Sequence, residues 1–307
     1  ADWLYKKQVG TIDEMTNLSK KARELLAAEY EVGATAYSKV QVSLDGTKKY
    51  LFPAGAGKFI ETAMIPDDAR KTVCVSSQVG CKMGCLFCMT GKQGFQGQLS
   101  PGEIINQIRS IDEAGDISNI VYMGMGEPML NYQEVVASVE RLTAADGAGI
   151  SPQRITLSTV GIPKMIRQLA DDGVKAHLAL SLHAATNEKR DQIMPVNKRF
   201  PLEEVIAALK YYHQKTKKRF TLEYVMLGNV NDSEKDARDL AVFCKNFPVK
   251  INLIEYNAVE GSGFSPSTET RIQAFVNILE RKNLVVNVRK SRGKDIDAAC
   301  GQLVGRS

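Results

Sequence analysis

Four of the chain's six cysteines fall between residues 74 and 88, in the stretch CVSSQVGCKMGCLFC. Cys81, Cys85 and Cys88 form C-x3-C-x2-C, a spacing that lets three thiolates wrap around one object. Without an oxidising compartment, thiols clustered this way point to a metal centre or to catalysis rather than to a disulfide framework. A structural zinc site asks for four protein ligands, commonly as two separated knuckles. The obvious fourth ligand is His183, and it lies on a different segment. Three thiolates suit a 4Fe-4S cluster that keeps one iron open. Cys74 stands upstream in a strand-like run, and Cys300 sits in the small-residue loop AACG. Cys244, on the apolar face of a helical stretch, reads as packing.

These residues need a frame, and the chain supplies one from about residue 70. Strand-like runs at 72–77, 119–124, 154–159, 176–182, 221–227 and 250–256 alternate with amphipathic helical stretches near 101–114, 132–145, 162–172, 202–217, 233–246 and 268–282. Ser100, Pro101 and Glu103 form a strong helix start. Six β-then-α units imply a parallel sheet with right-handed crossovers, either doubly wound or an incomplete barrel. The polar motifs GMGEP (124–128), STVG (158–161), SLH (181–183) and YNAVEGSG (256–263) each follow a strand. In parallel α/β folds that edge binds ligands, so four such loops argue for one shared site. Residues 1–45 carry a helical pattern, followed by two strand-like runs around Asp45-Gly46. The expected division is an α+β accessory region over 1–70 and a catalytic domain over 71–307.

The chain of 307 residues is 44% hydrophobic and 24% charged, without a run of about 18 apolar residues, and its N-terminus lacks the pattern of a secretory signal. A cytoplasmic protein that meets no membrane is expected. The first residue is not methionine, and the opening reads as mid-domain sequence, so a truncated N-terminus is expected. A net charge of +5, with basic groups at Lys6-Lys7, KTKKR (215–219) and RKSRGK (289–294), permits a polyanionic partner without requiring one.

C-x3-C-x2-C followed about forty residues later by GMGEP resembles the radical S-adenosylmethionine superfamily. CVSSQVGCKMGCLFCMTGKQGF, YMGMGEPMLNY, ITLSTVGIP, LALSLHAATNEKRDQIMPVNK and DIDAACGQL together resemble its RlmN/Cfr-type RNA adenine methyltransferases, from roughly residue 3 to 305. The resemblance implies a partial (β/α)6 radical-SAM barrel with a small N-terminal α+β region. It implies one 4Fe-4S cluster on Cys81, Cys85 and Cys88, and two molecules of S-adenosylmethionine per turnover, one as methyl donor and one as radical source. The implied substrates are 23S rRNA at the peptidyl transferase centre and tRNA in the anticodon loop. A one-electron reductant such as flavodoxin would serve a monomeric enzyme.

Adenine carbon 2 offers no lone pair to attack a sulfonium, so radical chemistry is required if that carbon is the target. The resemblance implies that Cys300 first carries the methyl group as S-methylcysteine. A 5′-deoxyadenosyl radical then takes a hydrogen from it, and the methylene adds to the base. Cys74 would release the product by attacking the Cys300 sulfur, leaving a transient disulfide. Glu61, in KFIETAMIP, is the implied proton acceptor. Gly126 and Glu127 would bond the methionine amino group, Ser158 with Ser181, Leu182 and His183 the ribose and carboxylate, and Asn257 the adenine or ribose edge. Met89, Met123, Met125 and Met129 are expected as apolar lining. Cfr-type methylation at carbon 8 would use the same cysteines; carbon 2 is the expected target because it is the housekeeping activity of the wider group. A zinc-stabilised RNA-binding module is the alternative from another class. The two differ in colour, brown for iron–sulfur and colourless for zinc.

Overall fold

A computed structural model describes residues 2–5, 7 and 9–305, so Lys6 of the first basic pair lies outside the described residues. The strands in chain order are β1 (Lys39–Val42), β2 (Lys48–Pro53), β3 (Phe59–Asp67), β4 (Arg70–Cys74), β5 (Gln78–Val79), β6 (Gly97–Gln98), β7 (Asn119–Tyr122), β8 (Ile155–Thr159), β9 (His177–Ser181), β10 (Phe220–Met226), β11 (Val249–Glu255) and β12 (Val285–Arg289). The helices are α1 (Asp2–Tyr5), α2 (Lys20–Glu29), α3 (Met89–Gln93), α4 (Pro101–Arg109), α5 (Tyr132–Thr143), α6 (Pro163–Asp171), α7 (Asn187–Ile193), α8 (Leu202–Thr216), α9 (Glu234–Cys244) and α10 (Glu269–Glu280).

Ten strands form one sheet in the order β1-β2-β3-β4-β7-β8-β9-β10-β11-β12, parallel from β4 onward. The order never reverses along the chain. Right-handed crossovers therefore all place their helices on one face, and the sheet curls into an open barrel instead of being doubly wound. The outer face carries Ile155, Leu157, Leu178, Leu180, Leu222, Ile251 and Leu253, all buried. Helices cover it; α4 starts with the capping box expected from the sequence, Ser100 Oγ accepting from Glu103 N at 3.2 Å.

Two strands of the ten-stranded sheet, and the short pair β5–β6 beside it, lie outside the sequence expectation. β12 is short, largely exposed and interrupted by Asn287, so its apolar signal is weak, yet it adds a seventh parallel strand beside β11. β3 carries Glu61 and Pro66 in its run and pairs with both β2 and β4. Through it the strands of residues 39–67 continue the same sheet, and Tyr50, Phe52 and Ile60 enter the same core as the barrel. The N-terminal helical pattern forms only α2 and a short turn at Ile12–Glu14. No helix among the described residues is long and apolar enough to cross a membrane.

Candidate functional site

The inner face of the barrel is polar where the outer one is apolar. Side chains alternate across a strand, so the residues between the outer leucines point inward. Ser181, Glu223, Asn252 and Asn287 stand in register across β9 to β12. Asn252 Nδ2 donates to Glu223 Oε1 at 2.9 Å, and Asn287 Nδ2 to Asn252 Oδ1 at 3.3 Å.

Above this row a first cavity, about 950 Å³ with its mouth, is lined by Cys81, Cys85, Cys88, Gly126, Glu127, Ser158, Ser181, His183, Glu223 and Cys300, among others. Three backbone loops build its wall. The cysteine loop turns at Gly80, with φ at 70°, where a Cβ would meet the Gly94 carbonyl oxygen at 1.8 Å. Burial pushes the Cys81 thiol up to about 12 and the Cys85 thiol well above its usual value. The loop after β7 turns at Gly126, with φ at 100°, where a Cβ would meet the Gln78 side chain at 2.6 Å. Glu127 follows, its Oε1 accepting from Met129 N at 3.1 Å and its Oε2 from Val160 N at 2.9 Å. Burial raises its carboxyl to about 7 against those bonds. Glu127 thus braces the loop after β8 as well as facing the cavity. Ser158 Oγ and Ser181 Oγ lie 3.2 Å apart.

His183 has φ at 57° and its Nδ1 accepts from Val225 N at 3.0 Å. That bond places the proton of the neutral ring on Nε2. Burial, with the Arg190 charge beside it, lowers the imidazole to about 3, so it stays neutral. Leu182 does not reach the cavity: its N–H goes to Glu223 O at 3.0 Å and its carbonyl to Arg190 Nε at 3.0 Å. Its contribution is to fix Ser181 and His183 on either side. Asn257 is also off the cavity wall, where its Nδ2 donates to Cys300 O at 3.3 Å.

A second cavity, about 700 Å³, is lined by Cys74, Cys88, Arg289, Lys290, Arg292 and Cys300, among others. Cys300 is therefore on the wall of both. It is open to the cavity space yet surrounded by protein, and burial raises its thiol while Arg289 opposes the rise. Cys74 lies at the end of β4, its thiol pushed to about 12 by burial and then by the Cys300 charge, with Arg289 opposing. All six cysteines are free thiols, and Cys244 is buried in α9.

The loop carrying Cys300 is held from several sides. Met89 N donates to Gly301 O at 2.7 Å, and Thr90 Oγ1 to Leu303 O at 2.6 Å. Lys49 Nζ donates to Asp297 O at 3.3 Å, and Val304 N to Glu61 Oε2 at 2.8 Å. Lys49 and Glu61 form a buried ion pair at 3.2 Å. Glu61 shares a strand face with Ala63, the partner of Cys74 in the β3–β4 ladder. It lines neither cavity in this arrangement. Met123 lines both cavities, whereas Met125 Sδ accepts from Glu61 N at 3.3 Å.

Sequence reasoning did not single out Glu223 or Arg190. Glu223 Oε2 and Asn257 Oδ1 are buried acceptors with no hydrogen-bond donor among the described residues, Arg289 lying 3.8 Å from Glu223 Oε2. Arg190 is wholly buried, giving its protons to Leu182 O, Val160 O and Asn197 Oδ1. Burial lowers it to about 10, with Cys85 opposing. For Glu223 the signal was a charged residue inside the apolar run TLEYVML, whereas Arg190 lies in the polar run TNEKRDQ and carried no such signal.

The residues present fit a thiolate-held cluster with a nucleoside-sized molecule beside it. A buried guanidinium calls for a negative group nearby, which metal-bound thiolates supply, since metal binding removes their protons. The cavity is concave and mostly apolar with a few convergent polar groups, as small-molecule sites are, and Glu223 Oε2 on its wall has no hydrogen-bond donor among the described residues. Among the described residues no group of three or more His, Cys, Asp or Glu side chains is arranged to hold a single metal ion; Cys81, Cys85 and Cys88 all line the first cavity.

Comparison with known proteins adds an independent line. Residues 75–241 match the Radical SAM superfamily. A probable dual-specificity RNA methyltransferase RlmN of Christiangramia forsetii is 45% identical over 312 residues, covering 100% of this chain and 89% of that protein. One from Parabacteroides distasonis is 46% identical over 303 residues, covering 99% and 88%. The crystal structure of a radical SAM methyltransferase from Sphaerobacter thermophilus superposes with a TM-score of 0.94 at 38% identity, covering 99% of this chain and 91% of that one.

Proposed function

We propose that this chain, which belongs to the Radical SAM superfamily and within it to the RlmN group of RNA methyltransferases, methylates carbon 2 of adenosine in 23S rRNA and tRNA. The observation that carries the reading is the place of Cys300, on the shared wall of a thiol-lined cavity and a cationic one.

Cys81, Cys85 and Cys88 would hold a 4Fe-4S cluster, which binds S-adenosylmethionine at its open iron and supplies the electron that cleaves it. The remaining work belongs to the chain. Cys300 Sγ loses its proton and attacks the methyl carbon of a first S-adenosylmethionine, forming the S–C bond as the sulfonium bond breaks. A second S-adenosylmethionine serves as radical source. Ser158, Ser181 and His183 Nε2 orient it from the cavity wall, and Asn257 holds the Cys300 carbonyl. Once the base is joined through sulfur, Cys74 Sγ loses its proton and attacks Cys300 Sγ, forming S–S as the bond from Cys300 Sγ to the methylene carbon breaks. That carbon keeps the electron pair and takes a proton to become the methyl group, and a reductant returns the disulfide to two thiols. Glu61 accepts the ring proton after giving up Val304 N, which now caps its Oε2. Gly126 lets the loop approach closely, and Glu127 keeps that loop joined to the one after β8. A reductant of the flavodoxin class, a monomeric state and a cytoplasmic setting complete the reading.

The test is nucleoside mass spectrometry of 23S rRNA and tRNA incubated with anaerobically reconstituted protein, S-adenosylmethionine and reductant. 2-Methyladenosine is expected. 8-Methyladenosine in its place overturns the carbon assignment, and no methylated adenosine overturns the reading.

A further inference from the structure

The basic run at 289–294 lines the second cavity, where its four cations differ in how they are neutralised. Lys294 pairs with Glu255 at 2.6 Å. Arg289 reaches Glu223 at 3.8 Å and lies beside Cys74 and Cys300. Lys290 and Arg292 are exposed, have no anionic partner among the described residues, and both line the cavity that holds Cys74 and Cys300.

The backbone beneath them is fixed. Gly293 N donates to Asp45 Oδ2 at 2.9 Å, Ser43 Oγ to Asp295 Oδ1 at 2.5 Å, and Leu44 N to Asp295 Oδ2 at 3.1 Å. On the other side Ser291 N donates to Glu255 Oε2 at 3.4 Å. Gly293 sits at a φ of 65°, where a Cβ would meet Thr47 Cγ2 at 2.8 Å. Acidic side chains thus anchor the main chain and one lysine, and two cations remain free at the cavity mouth. A solvated basic run would not be stapled on both sides to the walls of a reaction cavity.

We propose that Lys290 and Arg292 grip two backbone phosphates of the RNA next to the target nucleotide, setting the unstacked adenine over Cys300. The inference rests on the RNA methyltransferase reading and names the part of this site that recognises RNA. Phosphate contacts position a nucleic acid without reading its sequence. Their signature is a salt dependence, about 0.7 in log–log slope for each phosphate of a single strand.

The probe is an RNA stem-loop with one adenosine in its loop, binding being followed by fluorescence anisotropy across a salt series. Lys290→Ala/Arg292→Ala is expected to bind about tenfold more weakly near 0.1 M salt, with the slope reduced by about 1.4. The charge-preserving Lys290→Arg/Arg292→Lys should keep the wild-type slope. Lys210→Ala/Lys215→Ala, on the outer helix α8, should change neither affinity nor slope. Wild-type affinity and slope in the first variant overturn the inference, as does an equal loss in the α8 variant. Binding is read on the cluster-loaded protein without S-adenosylmethionine or reductant, so it is independent of the methylation assay: wild-type protein that binds RNA and leaves it unmethylated overturns the functional reading, and one that binds no RNA overturns both.

Discussion

The two cavities share Cys300 and the wall around it, Cys88 and Met123 included, and differ in their charge. The first is walled by thiols, hydroxyls, a neutral imidazole and the carboxylates of Glu127 and Glu223, a setting for a compact ligand that brings donors and positive charge. The second is walled by cations held in a stapled loop, a setting for a polyanion. Their separation teaches how one sulfur could serve two partners: on the proposed function Cys300 would meet a cationic methyl donor on one side and an RNA base on the other, each in its own electrostatic environment.

The sharpest way to break that comparison is to remove the shared atom. Cys300→Ala should abolish both S-methylation of the protein and any covalent RNA adduct, as intact mass and denaturing gels would read. Cys74→Ala should instead trap RNA on the protein; an absence of trapped RNA would show that the second cavity does not hold the resolving thiol.

Next in size is the pair that locks the shared loop. Lys49→Met leaves Glu61 buried without its cation, a change expected to cost about 3–5 kcal/mol in denaturant unfolding. It also frees Asp297 O, so Cys300 should become more reactive toward thiol reagents. Lys49→Met/Glu61→Leu should recover much of the stability without recovering methylation.

The pH dependence separates the two sides more gently. With its thiol at about 12, Cys74 is almost wholly protonated near neutrality. Only the thiolate attacks sulfur, so decay of the transient RNA adduct in the wild-type protein should speed up about tenfold per pH unit from 7 to 9. A flat profile would mean that a neighbouring group takes the proton.

The smallest effect belongs to the staple under the cationic loop. Burial pushes the Asp45 carboxyl up, but hydrogen bonds from Thr47 and Gly293 outweigh it and hold the group at about 2, against 3.8 for a free carboxyl. A depressed carboxylate stabilises the fold above pH 4, and that contribution is lost as pH falls toward 2. Because Asp45 is exposed, Asp45→Asn should shift stability by less than about 1 kcal/mol, seen as a flatter unfolding curve below pH 4.

Much of this was legible in the sequence because it is local. The C-x3-C-x2-C spacing, the glycine before Glu127 and the alternation of apolar strands with amphipathic helices are short-range patterns, set by chain geometry. The sequence also carried the ambiguity it could not resolve, a doubly wound sheet or an incomplete barrel, because that depends on the spatial order of strands. β12 escaped notice for a related reason: an edge strand needs little apolar surface. Tertiary structure alone decided that Cys74 and Cys300, more than two hundred residues apart, line one cavity. It alone turned Glu61 from a charged residue after an apolar pair into the partner of Lys49 and Val304. It also made Glu223 and Arg190 part of the site: a charge in an apolar strand, or one arginine among many polar residues, acquires meaning only when the surrounding elements exclude water from it.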